Sequence, residues 1–563
     1  MKKIYLGLLI GLFSITIHAQ DLYFAWAKSI SGPDSDDGQS ITTDASGNIY
    51  ITGTFENTVD CDPGIGTFNI TSNGMKDVFI QKLDASGSFI WAISVGGTNN
   101  DYSNCITTDV SGNVYITGYY RDTVDFDPSS ATLNFVSNGL DDIFIQKLDA
   151  NGNLMWAKSM GALSADRGTS LTADAFGAIY TTGYYRDTVD FDPGPATFNL
   201  ISNNTDIFIQ KLDLNGNFIW SKSVGGTNPD YGYAVTTDAI GNVYVTGSFV
   251  GTANFDPGVA TFNLTSIGSV DIFILKLSSS GNFIWANSFG GTEAELPNFI
   301  TADTSGVTYI TGFYEATVDF DPGAGTFNLN SNGGRDIFIL KLDSDGNFIW
   351  AKSMGGTSED LGNSITTDAS GNVYSTGSFI GSVDFDPGAG TFVLTSNALI
   401  DVFIQKLDAD GNFVWAKSVG NRGNSIHIDN TGNAYVTGNY IGTVDFDPGL
   451  GTFYLTSNSF DAFILKLSST GVRIEESILF NNVSIFPNPI GSQAGPYQEL
   501  VNVELGNLKK VSISVFTISG RLIYHMGNIN SSIHQIELNE AQGIYIIEVS
   551  SQTKKQQFKL VKY

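Results

Sequence analysis

Short runs of apolar, β-branched and aromatic residues alternate with Gly, Asp, Asn and Ser along most of this chain. Runs of this length, with turn residues at both ends, predict strands rather than helices. The segments Asp368–Asn372 and Asp408–Asn412 each contain a Gly and predict tight hairpins between such strands. One unit, from Asn363 to Gly420, has four runs of this kind: Ser364–Thr367, Asn372–Thr376, Asp401–Leu407 and Asn412–Ser418.

The four-strand unit recurs along the chain, and its repeats are marked by tryptophan. All seven tryptophans are spaced 65, 65, 64, 65, 65 and 65 residues apart, at Trp26, Trp91, Trp156, Trp220, Trp285, Trp350 and Trp415. Four-stranded units in series predict an all-β fold, a β-propeller with seven blades in residues 21–471. An open β-solenoid is the competing interpretation.

The two ends of the repeat array complement each other. Phe24–Ile30 is a Trp-bearing strand with no partner before it, and Asp461–Gly471 lacks the Trp strand that follows in other units. We therefore expect the N-terminal strand to complete the last blade, which closes the ring and removes exposed sheet edges. A closed ring of this kind is expected to be monomeric.

The repeated motifs carry a family resemblance. Each unit has a "D-x-x-G-N-x-Y-x-T-G" hairpin, with Ala178 and Val307 in place of the Asn in two units, followed by "D-x-F-x-x-K-L" and the Trp strand. This pattern resembles the SBBP family of bacterial β-propeller repeats over roughly residues 21–471. The resemblance implies the propeller fold and says little about chemistry.

The chain begins with the layout of an export signal. Lys2 and Lys3 precede an apolar run from Ile4 to Ile17, which predicts a secretory signal peptide over residues 1–19. No later segment is long and apolar enough to predict a transmembrane span. Residues 20–479 hold 19 basic and 52 acidic side chains, a net charge of −33. That charge disfavours nucleic acid as a partner and favours cations or basic surfaces.

The composition changes after residue 480, where several short alternating runs predict a small Ig-like β-sandwich. The segment resembles the type A C-terminal sorting domain of the type IX secretion system of Bacteroidota. The resemblance implies export across the outer membrane, with the secretion machinery as partner, a linker over 472–485 and a sorting domain over 486–563. The matching residues are Phe486, Pro487, Asn488, Pro489, Gly520, Gly543 and Tyr545.

Carboxylates recur at one end of the predicted sheets. After the second strand each unit carries a D-x-D-P theme, and after the fourth strand come Asp37, Asp101, Asp166, Asp230, Glu295 and Asp360. We expect both sets to crowd one face, where oxygen ligands suit Ca²⁺, the one candidate cofactor. The competing interpretation is that Asp-Pro-Gly is a turn. The candidate calcium ligands are Asp60, Asp62, Asp125, Asp127, Asp190, Asp192, Asp256, Asp319, Asp321, Asp384, Asp386, Asp445 and Asp447.

Two neighbouring units depart from the repeat with the sequence "GYYRD". Aromatic and Arg side chains in adjacent blades are suited to stacking on sugar rings or holding a peptide. The competing interpretation is that the rings pack inside the fold and that Arg pairs with Asp. The candidate ligand-binding residues are Tyr119, Tyr120, Arg121, Tyr184, Tyr185 and Arg186.

Catalytic motifs are missing from the sequence, so no catalytic residue is assigned. His427 is the propeller's one histidine, and we expect it to be packed or to line the pore. Cys61 and Cys105 are the two cysteines, and Cys61 fits a small buried apolar side chain better than a disulfide. The sequence thus favours a secreted or cell-surface module that binds an extracellular polysaccharide or protein. An extracellular propeller lyase or hydrolase, and a structural matrix protein, remain alternatives.

Overall fold

The computed structural model describes residues 22–397, 399–449, 451–469, 484–486, 500–505, 509–517, 521–538, 543–550 and 555–562. Every regular element in these ranges is a β-strand, so the all-β prediction is confirmed. In the same ranges no helix has the length and apolar character needed to cross a membrane. The predicted signal peptide lies outside the described residues, as does the predicted linker except for its last two residues. The chain divides into two compact units with a boundary after Thr470.

The first unit contains 34 strands, most of them bounded by Gly, Asp or Asn turns. Its first half comprises β1 (Tyr23–Ile30), β2 (Asp37–Thr43), β3 (Ile49–Asp60), β4 (Asn69–Leu83), β5 (Phe89–Val95), β6 (Tyr102–Thr108), β7 (Val114–Asp125), β8 (Asn134–Leu148), β9 (Leu154–Met160), β10 (Arg167–Ala173), β11 (Ile179–Asp190), β12 (Asn199–Leu212), β13 (Phe218–Gly226), β14 (Tyr231–Thr237), β15 (Val243–Phe249), β16 (Thr252–Asn254) and β17 (Asn263–Thr265). Its second half comprises β18 (Asp271–Leu277), β19 (Phe283–Phe289), β20 (Leu296–Ala302), β21 (Thr308–Tyr314), β22 (Thr317–Asp319), β23 (Asn328–Asn330), β24 (Asp336–Leu342), β25 (Phe348–Met354), β26 (Leu361–Thr367), β27 (Val373–Phe379), β28 (Ser382–Asp384), β29 (Val393–Thr395), β30 (Asp401–Leu407), β31 (Phe413–Val419), β32 (Arg422–Ile428), β33 (Ala434–Asp445) and β34 (Tyr454–Ser468).

These strands form repeated antiparallel sheets, which we number by repeat. Sheets 1 to 6 have the orders β2-β3-β4-β5, β6-β7-β8-β9, β10-β11-β12-β13, β14-β15-β18-β19, β20-β21-β24-β25 and β26-β27-β30-β31, and sheet 3 is extended by β16 and β17, which pair with β13. Sheet 7 has the order β32-β33-β34-β1, so the N-terminal strand pairs with the last strand of the unit. The small hairpins β16–β17, β22–β23 and β28–β29 lie between the second and third strands of their repeats.

We call the first strand of each sheet its inner strand. The inner strands of successive sheets contact one another, and β32 of sheet 7 contacts β2 of sheet 1. Apolar clusters fill the space between neighbouring sheets, for example around Phe249, Phe255 and Phe273. Because both faces of a sheet are covered in this way, its third strand reads as a continuous apolar run such as Asp271–Leu277.

Each hairpin between the first two strands is held by its own Asp. In repeat 1, Oδ1 of Asp44 accepts the backbone N–H groups of Ser46 and Asn48, and Oδ2 accepts the Tyr50 hydroxyl at 3.1 Å. Gly47 has φ of 79°, the left-handed region that a side chain disfavours. The "D-x-x-G-N-x-Y" motif is therefore a self-contained turn.

A Lys and the marker Trp of one repeat hold the next repeat. Nζ of Lys82 and Nε1 of Trp91 both donate to the carbonyl oxygen of Ala150, at 2.8 and 3.2 Å. Equivalent Lys–Trp pairs in later repeats donate to the backbone carbonyls of Leu214, Ser279, Ser344 and Ala409. The Trp spacing seen in the sequence thus reports a contact between sheets.

The second unit is built from two antiparallel sheets. The smaller has the order β35-β36-β39 and the larger β38-β37-β40-β41, and side chains from both sheets form one buried cluster that includes Val503, Val515 and Ile536. The strands are β35 (Ser484–Phe486), β36 (Leu500–Glu504), β37 (Val511–Thr517), β38 (Leu522–Ile529), β39 (Ile533–Glu537), β40 (Gly543–Ser550) and β41 (Lys555–Lys562).

Candidate ligand-binding site

An axial cavity of about 350 Å³ is lined by side chains from all the inner strands of the first unit. Its wall near the start of these strands carries carboxamide and hydroxyl groups that bridge neighbouring repeats. Nδ2 of Asn104 donates to the carbonyl of Gly168 at 2.7 Å, and Nδ2 of Asn298 donates to that of Gly362 at 2.8 Å. Because their N–H groups point around the cavity wall, these side chains position the inner strands relative to one another.

The cavity continues into a narrower space of about 190 Å³. Its lining includes Thr42, Thr107, Thr172, Thr236, Thr301, Thr366 and His427. Nε2 of His427 lies 3.0 Å from Oγ1 of Thr43, and burial lowers the pKa of His427 to about 4. His427 is therefore neutral near pH 7 and lines the pore, as expected. A wall of repeated hydroxyl groups favours binding over acid–base chemistry.

Aromatic and Arg side chains cluster at the mouth of the cavity in repeats 2 and 3. Tyr102 and Tyr119 face each other across β6 and β7 with ring centroids 4.9 Å apart. The guanidinium of Arg167 lies 4.2 Å from the Tyr119 ring centroid, a cation–π contact. Arg121 and Arg167 both bind the buried carboxylate of Asp141, at 2.6 and 2.7 Å.

The single carboxylate of Asp141 thus orders two guanidinium groups. Nε and Nη2 of Arg121 donate to Oδ1, and the same atoms of Arg167 donate to Oδ2. A guanidinium has five N–H donors, and two of each Arg bind Asp141. Arg167 also bonds the hydroxyl of Tyr184, so Arg121 keeps up to three donors and Arg167 up to two for another partner. The side chains of Arg121 and Arg167 are 40% and 36% exposed, which leaves these donors reachable.

The aromatic cluster extends into repeat 4. Tyr184 meets Tyr231 edge-on with centroids 4.9 Å apart, and Tyr231 is parallel to Tyr233 at 6.3 Å. The hydroxyl of Tyr233 accepts a hydrogen bond from Ser248 at 3.1 Å, and Tyr233 lines the axial cavity. We call Tyr102, Tyr119, Arg167, Tyr184, Tyr231 and Tyr233 the mouth cluster. Half-buried rings with free edges are suited to a polyhydroxylated or aromatic ligand.

Two of the predicted ligand-binding residues belong to the core. Tyr120 and Tyr185 are buried, and their hydroxyls bond Oγ of Ser159 at 2.6 Å and Oγ of Ser223 at 2.7 Å. They occupy the slot that Phe55 fills in repeat 1, so they cannot reach a ligand. Arg186 is exposed, and its Nε donates to Oγ1 of Thr205. Of the six predicted residues, Tyr119, Arg121 and Tyr184 lie in or beside the mouth cluster.

The sequence interpretation missed Tyr102, Asp141, Arg167, Tyr231 and Tyr233. Three of these share one slot, the first position of the inner strand. That slot varies from repeat to repeat in both charge and size. Its occupants are Asp37, Tyr102, Arg167, Tyr231, Leu296, Leu361 and Arg422.

The candidate calcium ligands lie in turns at the outer side of the sheets. Oδ1 of Asp60 accepts the backbone N–H groups of Asp62 and Phe68, and Oδ1 of Asp62 accepts that of Gly64. The Phe68 ring packs on Phe89 of the outermost strand, at 4.9 Å between centroids. The same turn bonds recur at Asp125, Asp127, Asp190, Asp192, Asp256, Asp319, Asp321, Asp384, Asp386, Asp445 and Asp447.

Asn254 makes the same two turn bonds with its amide oxygen, so the turn does not require a carboxylate. In the part of the chain that the structure describes, no group of three or more His, Cys, Asp or Glu side chains is placed to hold a metal ion. The turn interpretation therefore accounts for every hydrogen bond that these side chains make with the backbone.

The second set of carboxylates is buried and does not crowd a surface. Asp101 is 1% exposed, and its two oxygens accept the backbone N–H groups of Gly97 and Arg121. Burial raises the pKa of Asp101 to about 7. Asp166, Asp230, Glu295 and Asp360 are equally buried. In repeat 1 the slot belongs to Asp36, which is buried and bonds Glu56, rather than to the predicted Asp37.

A second buried carboxylate accompanies each of these. Asp77 is fully buried at the start of the third strand, and burial raises its pKa to about 6. Repulsion from the negative charge of Asp77 also contributes to the raised pKa of its neighbour Asp101. Within the described ranges, one oxygen of several such groups has no hydrogen-bond partner: Asp36, Asp77, Asp142, Asp206, Asp271, Glu295, Asp336 and Asp461.

Both cysteines are free thiols. Cys61 is buried in the apolar cluster of repeat 1, as its Phe-equivalent slot predicts. Cys105 lines the axial cavity, and its thiol donates to the carbonyl of Leu171 at 3.5 Å.

Only part of the predicted sorting motif lies in the described residues. Phe486 ends β35, Gly543 begins β40 and Tyr545 is a buried residue of the second unit's core. Pro487, Asn488, Pro489 and Gly520 lie outside the described ranges.

Comparisons with known proteins identify both parts of the chain. Residues 484–563 match the family model of a secretion system C-terminal sorting domain, and residues 25–54 match a β-propeller repeat model. An uncharacterized WD repeat-containing protein of Acanthamoeba polyphaga mimivirus is 25% identical over 532 residues, covering 79% of this chain and 38% of its own length. The regulatory protein FlaEY of Caulobacter vibrioides is 26% identical over 158 residues, covering 28% of this chain and 16% of its own length.

This chain thus spans well under half the length of both curated relatives. A crystal structure of a protein of unknown function from Bacteroides caccae has a TM-score of 0.31 and 8% identity, covering 60% of this chain and 89% of that one. The sorting domain marks the chain for export by the type IX secretion system, to the extracellular space or the cell surface. Its C-terminal domain is the part that the secretion machinery recognises.

Proposed function

We propose that this exported chain, with its β-propeller repeats and sorting domain, is an extracellular binding module whose ligand occupies the mouth cluster. The first unit is taken as a seven-bladed propeller closed by β1 and β34, and the second as an Ig-like sandwich. The pairing of β1 with β34 and the contact of β32 with β2 support the closed ring. Because the ring is rigid, the side chains of the mouth cluster are already in place, and little conformational entropy is lost when a ligand binds.

One observation carries the proposal: the repeat is broken where the axial cavity opens. Five tyrosines and an Arg gather in three adjacent repeats, while the first position of the inner strand holds residues such as Leu296 and Leu361 elsewhere. Nothing in the packing of sheets 2 to 4 requires this, because sheets 5 and 6 form without it. Local departure from a repeat is the expected signature of a binding site on a repeated scaffold.

We favour an extracellular polysaccharide as the ligand. Tyrosine rings stack on the apolar faces of sugars, and carboxamides such as that of Asn104 exchange hydrogen bonds with sugar hydroxyls. The unpaired N–H donors of Arg121 and Arg167 add a place for a charged or hydroxyl group. Ser40, Ser170 and the threonines below contribute hydroxyl groups to the lining. Of the titratable groups there, burial raises the pKa of the Cys105 thiol and lowers that of His427, so both are neutral near pH 7, which favours binding over hydrolysis.

Binding of the mature chain to soluble polysaccharides tests the proposal. The panel is a neutral β-glucan, a polyuronate and a sulfated galactan, measured by calorimetry. Tyr184→Ala and Tyr231→Ala are expected to weaken binding about tenfold or more, since base or sugar stacking of one ring contributes about 1–3 kcal/mol in comparable sites. Tyr454, 61% exposed on β34, provides the control variant Tyr454→Ala, which leaves affinity unchanged. Wild-type affinity in both mouth variants contradicts the proposal.

A further inference from the structure

A second surface lies at the opposite end of the sheets, where the hairpins join first to second and third to fourth strands. The residue before the hairpin Gly is small and polar in most repeats and apolar in repeats 3 and 4. Its occupants in chain order are Ser46, Ser111, Phe176, Ile240, Ser305, Ser370 and Thr431. The other hairpin shows the same departure at Leu214, where Ala85, Ala150, Ser279, Ser344 and Ala409 stand elsewhere.

These apolar side chains are exposed together. Phe176 is 76%, Ile240 75%, Leu214 50% and Ile219 46% exposed. All four line one cavity of about 380 Å³ between repeats 3 and 4. We call these four residues the hairpin patch.

The fold itself gains nothing from the hairpin patch. The sister hairpins close with Ser or Ala in the same slots, for example Ser46 and Ala85, and make the same Asp turn bonds. Burying apolar surface is favourable by about 25 cal/mol for each Å² removed from water, and exposed apolar side chains lack this stabilisation. A clustered set of this kind on a soluble protein marks a contact surface.

The size of the hairpin patch suits a single segment better than a second copy of this chain. A stable interface between two proteins buries about 800 Å² on each partner. Four side chains of this exposure offer roughly half of that area. One short segment that inserts two or three apolar side chains would cover the patch.

The charge around the hairpin patch indicates which charge the other side chains of the docking segment carry. Asp174 and Asp213 line the cavity, and Asp238 accepts the backbone N–H of Ile240 beside it. Lys147 and Lys211 are turned inward, with Nζ bonded to the carbonyls of Leu214 and Ser279, and burial lowers the pKa of both. Lys158 lies near Asp213, so three carboxylates face two lysines, Lys158 and Lys211, and the border is slightly acidic. The −33 charge of residues 20–479 adds a long-range field that attracts basic partners.

We infer that the hairpin patch docks one basic, amphipathic segment of a partner protein, with its apolar side chains in the cavity between repeats 3 and 4. This inference is independent of the polysaccharide site, which lies at the other end of the inner strands. The two surfaces would allow the module to hold a polysaccharide and a protein at once.

Three synthetic twelve-residue peptides test the inference against the mature chain: one alternating Leu and Lys, one alternating Ser and Lys, and one alternating Leu and Glu. The variant Phe176→Ser/Leu214→Ala/Ile240→Ser carries residues that sister repeats already use, so the fold tolerates it. The control is Val259→Ala, a fully exposed position at the other end of the sheets where sister repeats have Ala324 and Ala389.

The Leu–Lys peptide is expected to bind, and the triple variant to weaken that binding at least tenfold, while Val259→Ala leaves it unchanged. Equal binding of the Ser–Lys peptide would overturn the role of the apolar patch. Equal binding of the Leu–Glu peptide would overturn the charge argument. Self-association of the wild-type chain that the triple variant abolishes would assign the patch to a second copy instead.

Discussion

Nζ of Lys466 donates a 2.9 Å hydrogen bond to the carbonyl oxygen of Ala85, joining residues 381 positions apart. Lys276 makes the same bond to Ser344, in the next repeat along the chain, at 2.7 Å. The contact that links successive repeats therefore also links the last repeat to the first. This geometry makes ring closure testable by one substitution.

We expect Lys466→Met and Lys276→Met to destabilise the first unit alike. Each variant keeps an apolar stem over its Tyr ring but removes a charged hydrogen bond, a loss of about 1–3 kcal/mol in the free energy of unfolding. Urea unfolding of the mature chain provides the measurement. An effect at Lys276 with none at Lys466 would contradict a closed ring in solution.

Much of the first unit followed from its sequence because local chemistry repeats there. Asp44, Gly47 and Tyr50 encode a hairpin that closes on itself, and the Trp spacing gives the repeat length. The role of the Trp could not be predicted from the sequence, because Trp91 bonds the carbonyl of Ala150 in another sheet. The continuous apolar third strands indicated burial on both faces but not which neighbours provide it.

The site was harder to predict than the fold. Tyr119 and Tyr120 are adjacent in the chain, and alternation along a strand sends the first to the mouth and the second into the core. The sequence interpretation grouped them as one aromatic–Arg cluster. Arg167 joins the same cluster from the next inner strand, a contact between repeats that spacing alone does not reveal.

The buried carboxylates predict that stability falls as pH rises. Burial raises the folded-state pKa of Asp36 to about 8, of Asp101 to about 7 and of Asp77 to about 6. An unfolded Asp titrates near 3.9. Between about pH 4 and pH 8 the folded state therefore holds more protons, and the free energy of unfolding decreases across that window.

Urea unfolding at pH 5 and pH 8.5 measures this slope. Asp101→Asn removes one of the contributing groups. We expect it to reduce the pH dependence of the free energy of unfolding, whatever it does to stability at any single pH. Asp84→Asn is the matched control, since side-chain hydrogen bonding lowers the pKa of that exposed turn residue and its titration lies below the window. A higher free energy of unfolding at pH 8.5 than at pH 5 would contradict this prediction, because it would show that the buried carboxyls are already ionised at pH 5 in the folded protein.

Calcium is expected to leave the melting temperature of the mature chain unchanged. Oδ1 of Asp60 already accepts two backbone N–H groups, and Asn254 serves equally in its own repeat. A ligand at a hundred times its dissociation constant would add about 2.7 kcal/mol, so binding would be plain in a melt. A calcium-dependent rise that Asp60→Asn and Asp62→Asn diminish would restore the D-x-D-P loops as metal sites.

Repeat 1 lacks a hydrogen bond that its neighbours make. Tyr120, Tyr185, Tyr314 and Tyr440 each bond a Ser hydroxyl on the outer strand of their own sheet, at 2.6 to 2.9 Å. Phe55 fills the same slot in repeat 1, so Oγ of Ser94 is buried there without a Tyr partner and contacts the carboxyl of Asp77 instead. A Tyr–Ser hydrogen bond of this kind contributes about 0.5–1.5 kcal/mol.

Phe55→Tyr is therefore expected to stabilise the first unit, by about 1 kcal/mol, because the new hydroxyl reaches Ser94. The reverse change, Tyr120→Phe, should cost a similar amount by leaving Ser159 unbonded, and both should leave polysaccharide binding intact since neither ring is exposed. Paired urea titrations of the two variants, with Phe55→Tyr/Ser94→Ala as the control, provide the measurement. If Phe55→Tyr destabilises the chain as much as its double variant does, the slot in repeat 1 is too tight for a hydroxyl, and the contact of Ser94 with Asp77 replaces the Tyr–Ser bond of the other repeats.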